Sequence, residues 1–199
     1  QGLLLPRFQL KDILERLDKM FAQVKVKRLV VNGDIKHEFG TITNQEWRDT
    51  LKFFDYAFEK VGKEGELILV KGNHDLVLDP IARKRNIEVV EAYQIDDITI
   101  VHGHNLTLIP GNVIIIGHEH PAISFSERRE EKFKCFLRGK WKGKVLIVQP
   151  SLNMLTQGSD VTKEQHLSPF LEKGVENYEV FIVEDQVRYF GKVKDIKKM

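Results

Sequence analysis

Cysteine is almost absent from this chain. Cys135 is the single one in 199 residues, so no disulfide can form within the chain and a disulfide-stapled secreted scaffold is excluded. A reducing, cytoplasmic setting is the expectation that follows. No apolar run approaches the roughly 18 residues that cross a bilayer, so no membrane partner is expected. A surplus of one charge is missing as well. Lys+Arg 31 against Asp+Glu 29 leaves +2 with histidine neutral, and a pI near 8.5 is too mild to point to nucleic acid without a local basic surface. The 14 glycines and 6 prolines follow no period, which excludes a collagen-like chain, and 42% hydrophobic residues exclude an unfolded one. What remains is one globular domain over 1–199 with a sizeable core and a basic tail at 192–199. No internal repeat or shift in composition divides it, and nothing specifies an oligomeric state.

Leu10, Ile13, Leu14, Leu17, Met20 and Phe21 recur at spacings of three and four, which predicts an amphipathic helix over 8–23. A β-branched run at 26–31 stops at Asn32-Gly33-Asp34. A second helix is predicted over 44–61, with Asn44 as a cap and Trp47, Leu51, Phe54, Phe58 and Val61 as its buried stripe. The strand 66–70 ends at Lys71-Gly72-Asn73-His74-Asp75, and a short helix opened by proline follows at 80–85. This rhythm of helices and near-continuous apolar strands indicates an α/β domain with covered sheet faces. The second half reads as β-rich and partly antiparallel, with strands at 87–91, 94–96, 98–102, 113–117, 133–137, 145–148, 179–183 and 187–190. Hairpin turns are expected at 139–143 and 184–186, and 151–174 as a long surface loop.

Six of the seven histidines, His37, His74, His102, His104, His118 and His120, lie near the C-terminal end of a strand and a glycine; His166 stands apart as a surface-loop residue. Loops at the carboxyl ends of strands in an α/β sheet converge on one crevice, so Asp34, Asn73, His102, His118 and His120 can meet there. Carboxylate, amide oxygen and imidazole suit Mn, Fe, Zn or Co rather than Ca or Cu(I). Five such donors exceed the three protein ligands usual at one catalytic zinc, which points to two ions. In a two-metal site a shared carboxylate, most naturally Asp34, bridges the ions and a bridging hydroxide attacks phosphorus in line. His74 is then free to protonate or hydrogen-bond the leaving oxygen.

Gly33-Asp34-Ile35-Lys36-His37, Gly72-Asn73-His74-Asp75, His102-Gly103-His104 and Gly117-His118-Glu119-His120 resemble the ordered motifs of the calcineurin-like metallophosphoesterases. Cys135-Phe136-Leu137-Arg138-Gly139 and Gln149-Pro150-Ser151-Leu152-Asn153 further resemble the DNA-ligase-associated, nuclease-related archaeal branch. The resemblance implies a four-layer α/β/β/α sandwich with mixed sheets. It implies Asp34 bridging two divalent ions, with Asn73, His102 and His118 on one and His120 on the other; Mn is the expected metal, with Fe, Zn, Ni, Co or Mg as alternatives. It also implies a catalytic role for His74 with Asp75 orienting it. His37 and His104 read separately, from their place beside the motifs, as residues that hydrogen-bond a neighbouring ligand from behind. The substrate expected is a phosphate ester, a phosphodiester of DNA, RNA or a nucleotide first of all. A small-molecule phosphomonoesterase and a catalytically degenerate binding or scaffold protein on the same fold are the alternatives. A β-lactamase-fold hydrolase would need a His-x-His-x-Asp-His cluster, which neither histidine pair continues into.

The family opens with a strand bearing Asp-x-His, which residues 1–33 do not supply; Asp12 and Asp18 have no histidine two positions on. Residues before Gln1 that carry this strand are therefore expected, together with an open sheet edge beside the 26–31 strand. Between Arg128 and Lys144, basic residues interleave with Phe133, Phe136 and Trp141, which makes Lys140, Lys142 and Lys144 candidate nucleic-acid contacts. The competing reading is a hairpin whose lysines blunt a sheet edge.

Overall fold

The computed structural model describes residues 8–35, 44–75, 79–107, 109–125 and 131–197. They form two compact units, one comprising 1–90 with 152–155 and the other 91–151 with 156–199.

In the first unit, helix α2 (Asn44–Val61) packs on a parallel sheet of β1 (Arg28–Asn32), β2 (Glu66–Val70) and β3 (Glu88–Val90), in the order β1-β2-β3, and helix α1 (Phe8–Phe21) packs on α2. Among the described residues β1 is an edge strand. A short helix α3 (Asp79–Arg83) precedes β3. Phe54 and Ala57 of α2 pack on Leu67, Leu69, Ile81, Ala82 and Ile87, with Trp47, Leu51 and Phe58 at the margin, so the stripe read from α2 is its packed face. The stripe of α1 is less complete: Leu17 is buried, whereas Met20 is exposed. Tyr56 of α2 ties the two helices together through its ring on Phe21 and its hydroxyl, which donates to Asp18 Oδ1 at 2.9 Å.

The second unit is one nine-stranded mixed sheet. Its strands are β4 (Ala92–Ile95), β5 (Ile98–Val101), β6 (Val113–Ile116), β7 (Pro121–Ile123), β8 (Phe133–Trp141), β9 (Lys144–Val148), β10 (Ser159–Asp160), β11 (Glu179–Val183) and β12 (Val187–Lys192). Strands β5, β6 and β9 run parallel, so the loops after them leave from one end of the sheet. Strand β8 is antiparallel to β7, β9 and β11. The β8–β9 turn is narrower than 139–143, because Gly139 is still paired with Leu146 and only Lys142 and Gly143 turn, both left-handed at φ 47° and 84°. One face of this sheet is covered by chain that the sequence assigned to loop and tail. Residues 151–174 contain β10 and a 3₁₀ turn, Pro169–Leu171, and Val161, Phe170 and Leu171 are buried. Lys192 onward departs from a solvated tail, for helix α4 (Val193–Ile196) buries Val193 and Ile196 under the sheet.

Candidate metal centre

In the first unit, Asp34 sits two residues beyond β1, and Asn73, His74 and Asp75 follow β2 at the same end of the parallel pair. Asp34 Oδ1 accepts the His74 N–H at 3.2 Å. The buried Asp75 turns back on its own loop, its Oδ2 accepting the Gly72 N–H at 3.0 Å. Glycine is required at 72 because a Cβ there would run into the backbone N and carboxylate of Asp34 and press on Asp75. Asp34 also holds a left-handed backbone, φ 52°, which a non-glycine residue adopts at a cost of about 1–3 kcal/mol.

In the second unit, His102 directly follows β5 and His118 follows β6. The amides of Gly117 and His118 both donate to the His102 carbonyl at 2.9 Å, locking the two loops together. His102, 2% exposed, brings its Nε2 to 3.2 Å from His118 Nδ1. The His104 ring lies against both, 5.5 and 6.1 Å away between ring centres. His120 has φ 49° and shares with Asp34 the strained left-handed backbone; its carbonyl accepts Ser159 N–H, which starts β10. His37 lies outside the described residues.

The candidate basic contacts separate. Lys144 is engaged inside the unit, its Nζ donating to the carbonyls of Ile109 at 2.5 Å and Gly111 at 2.6 Å. It therefore secures a loop within the unit. Lys142 stands over the Trp141 ring, 4.5 Å from its centre, and Lys140 is exposed.

Three residues that the sequence reading passed over stand behind the histidine loops. Glu119, between His118 and His120, is fully buried, and its Oε2 accepts the amides of Leu167 and Ser168 at 2.8 Å each. Burial pushes its carboxyl upward, against the pull of these two amides and of His166. His166 is no plain surface residue, since its Nδ1 faces Glu119 Oε1 at 3.6 Å. The available signal was the charge at position 119, inside a motif otherwise made of glycine and histidine.

Loops with carboxylate, amide and imidazole donors, set at the ends of parallel strands, define an α/β protein built to present metal-capable groups. The chain belongs to the calcineurin-like phosphoesterases, whose family model matches residues 6–174. That match reaches into both compact units. No curated protein matches the chain. Among solved structures it is similar to the Pseudomonas putida nuclease MPE, at 20% identity and a TM-score of 0.63, over 91% of this chain and 78% of that one. At that identity the likeness is one of fold, and it agrees with the α/β class expected from the sequence.

Proposed function

We propose that this chain is a divalent-metal-dependent phosphodiesterase acting on nucleic acid or nucleotide esters. Asp34, Asn73, His102, His118 and His120 hold two ions, with Mn the expected activator. The observation that carries this reading is the meeting of His102 Nε2 and His118 Nδ1 at 3.2 Å. Two imidazoles bound to one ion at about 2.0–2.1 Å bring their nitrogens about 3.0–3.4 Å apart, so this pair already has the spacing of two ligands on a common ion. The strained backbones of Asp34 and His120 support the same reading, because strain of this kind gathers where function fixes a side chain. Ions held there supply charge neutralisation at the phosphoryl group and a nucleophile at neutral pH.

The remaining work falls to the chain. His74, whose backbone N–H is tied to Asp34 Oδ1, hands a proton to the leaving oxygen, and Asp75 fixes the turn that presents it. A nucleic-acid substrate is supported by the name of the nuclease of similar fold. Arg138, Lys140, Lys173 and Lys192 line a separate cleft of the second unit, beside the start of β9 and so at the end of the sheet opposite the one from which the histidine loops leave.

Hydrolysis of a generic diester, a generic monoester and single-stranded and duplex DNA and RNA, each with Mn, Mg, Zn or Ni, tests the proposal. Diester cleavage that depends on metal and falls away in Asp34→Asn, together with lost metal occupancy, is expected. Activity that survives both exhaustive chelation and Asp34→Asn refutes it, as does a chain that stays metal-free after Mn loading.

A further inference from the structure

We propose that Glu119 and Ser168 are positioning residues that brace the loops carrying His102, His118 and His120, and so set the imidazole spacing on which metal capture depends. The inference rests on the metal reading above and assigns it two further residues. Three stretches of the second unit meet here: 102–104, 117–120 and 166–168. Ser168 joins the other two directly. Its N–H donates to Glu119 Oε2 at 2.8 Å, and its hydroxyl donates to the carbonyl of Gly103, between His102 and His104, at 2.7 Å. The same hydroxyl accepts the Phe170 N–H at 3.4 Å, capping the 3₁₀ turn whose Phe170 and Leu171 are buried in the core. Through Ser168 the histidine loops are tied to the hydrophobic core.

Glu119 completes the tie from the other side. It lies between His118 and His120 along the chain and is fully buried. There its Oε2 takes two amides, and its Oε1 faces His166. A fully buried carboxylate costs several kcal/mol unless its oxygens are bonded, and an apolar residue would fill the position at less cost. What the carboxylate provides and an apolar side chain cannot is two charge-assisted bonds of fixed direction to the 166–168 strap. Groups hydrogen-bonded to metal-ligand side chains typically change metal affinity or activity by about 10–100-fold when removed; Glu119 and Ser168 act through the backbone of the ligand loops, for which that range is an upper bound.

The test compares the full chain with Glu119→Ala, Glu119→Gln, Ser168→Ala and Ser168→Thr in two measurements. The first is calorimetric titration with Mn. The second, on metal-free protein, is the NMR of the ring nitrogens of His102 and His118, whose contact at 3.2 Å sets their shifts. Both alanine variants should weaken Mn binding, by up to about 100-fold, and move the ring-nitrogen signals. The glutamine keeps an acceptor for the two amides and the threonine keeps the hydroxyl, so these should restore most of both readouts. Val180→Ala, a cavity elsewhere in the same core, should lower the thermal midpoint and move neither. If the alanine variants melt earlier while Mn affinity and ring signals stay as in the unchanged chain, the brace is refuted. Should Glu119→Ala fail to fold, Ser168→Ala removes a single oxygen and decides the point. Should the unchanged chain bind no Mn, the metal reading fails, and the ring-nitrogen shifts of metal-free protein still decide the brace.

Discussion

A single loop contact joins Asp34 and His74, for the Asp34 carboxylate accepts the His74 backbone N–H. In the proposed function Asp34 holds metal and the His74 imidazole transfers a proton. We expect His74→Ala to retain Mn, read by calorimetry, while the rate falls by about 10²–10⁴-fold. The loss should shrink for nitrophenyl esters, whose leaving oxygen needs little protonation. An equal loss for good and poor leaving groups, with metal lost as well, would make His74 a ligand instead. The donors at these positions were legible in the sequence because each loop announces itself through an apolar strand, a glycine and then metal-capable side chains. Glu119, Ser168 and His166 were not. Glu119 and Ser168 bond to partners 48 to 65 residues away along the chain, and a hydrogen bond to the backbone leaves no mark on hydrophobic periodicity.

At the scale of elements, α1 and α2 depend on a charged contact that responds to acid. Hydrogen bonds from Lys60 and Tyr56 hold the Asp18 carboxyl below the usual carboxylate range. A lowered folded value means that the contribution is present above the unfolded value, about 3.9, and is lost as pH falls through the folded one. Acid titration should therefore loosen the α1–α2 contact below about pH 4, seen as a change in Tyr56 fluorescence, and Asp18→Asn should remove that step. Lys144 makes the opposite case, a charge spent on structure. Lys144→Met leaves carbonyls of 109–111 without their donor and should cost about 1–3 kcal/mol in urea unfolding. Oligonucleotide affinity and its salt slope should not move in that variant. Removing Lys140, Lys173 and Lys192 together should flatten the slope.

At the scale of the molecule, the long periodic elements were the ones that could be read in advance. Helix α2 and strand β2 run over the expected spans because each has an unbroken packed face. Strands β7 and β10 are three and two residues long, too short to show a period; β10 exists because Ser159 and Asp160 pair with Pro121 and Ala122, and β7 pairs with β8 as well. The C-terminal turn was hidden for a different reason. Val193 and Ile196 are its only apolar residues among lysines and an aspartate, so composition spoke for solvent while a spacing of three placed both against the core.

The two-residue turn at Lys142-Gly143 carries a consequence for how this molecule reaches its structure. Strands β8 and β9 are neighbours in sequence and also stand in the middle of the nine-stranded sheet, flanked by β7 and β11 on one side and β6 on the other. Their hairpin closes a two-residue loop, as the β4–β5 hairpin does at Asp96-Asp97, but β4 stands at the edge of the sheet whereas β8 and β9 are paired on both sides; hairpins of this kind form in about 1–10 μs. The pairings of β6 with β9, β5 with β6 and β8 with β11 must bring together more distant stretches against a larger loss of chain entropy. The β8–β9 hairpin should then act as the nucleus on which the second unit assembles. Gly143 isolates the effect, since nothing lies within 4 Å of a Cβ placed there and its φ of 84° is the obstacle to alanine. Gly143→Ala should slow refolding in stopped-flow measurements in proportion to the stability it removes, with the unfolding rate nearly unchanged. A change confined to the unfolding rate would place the start of folding elsewhere in the sheet.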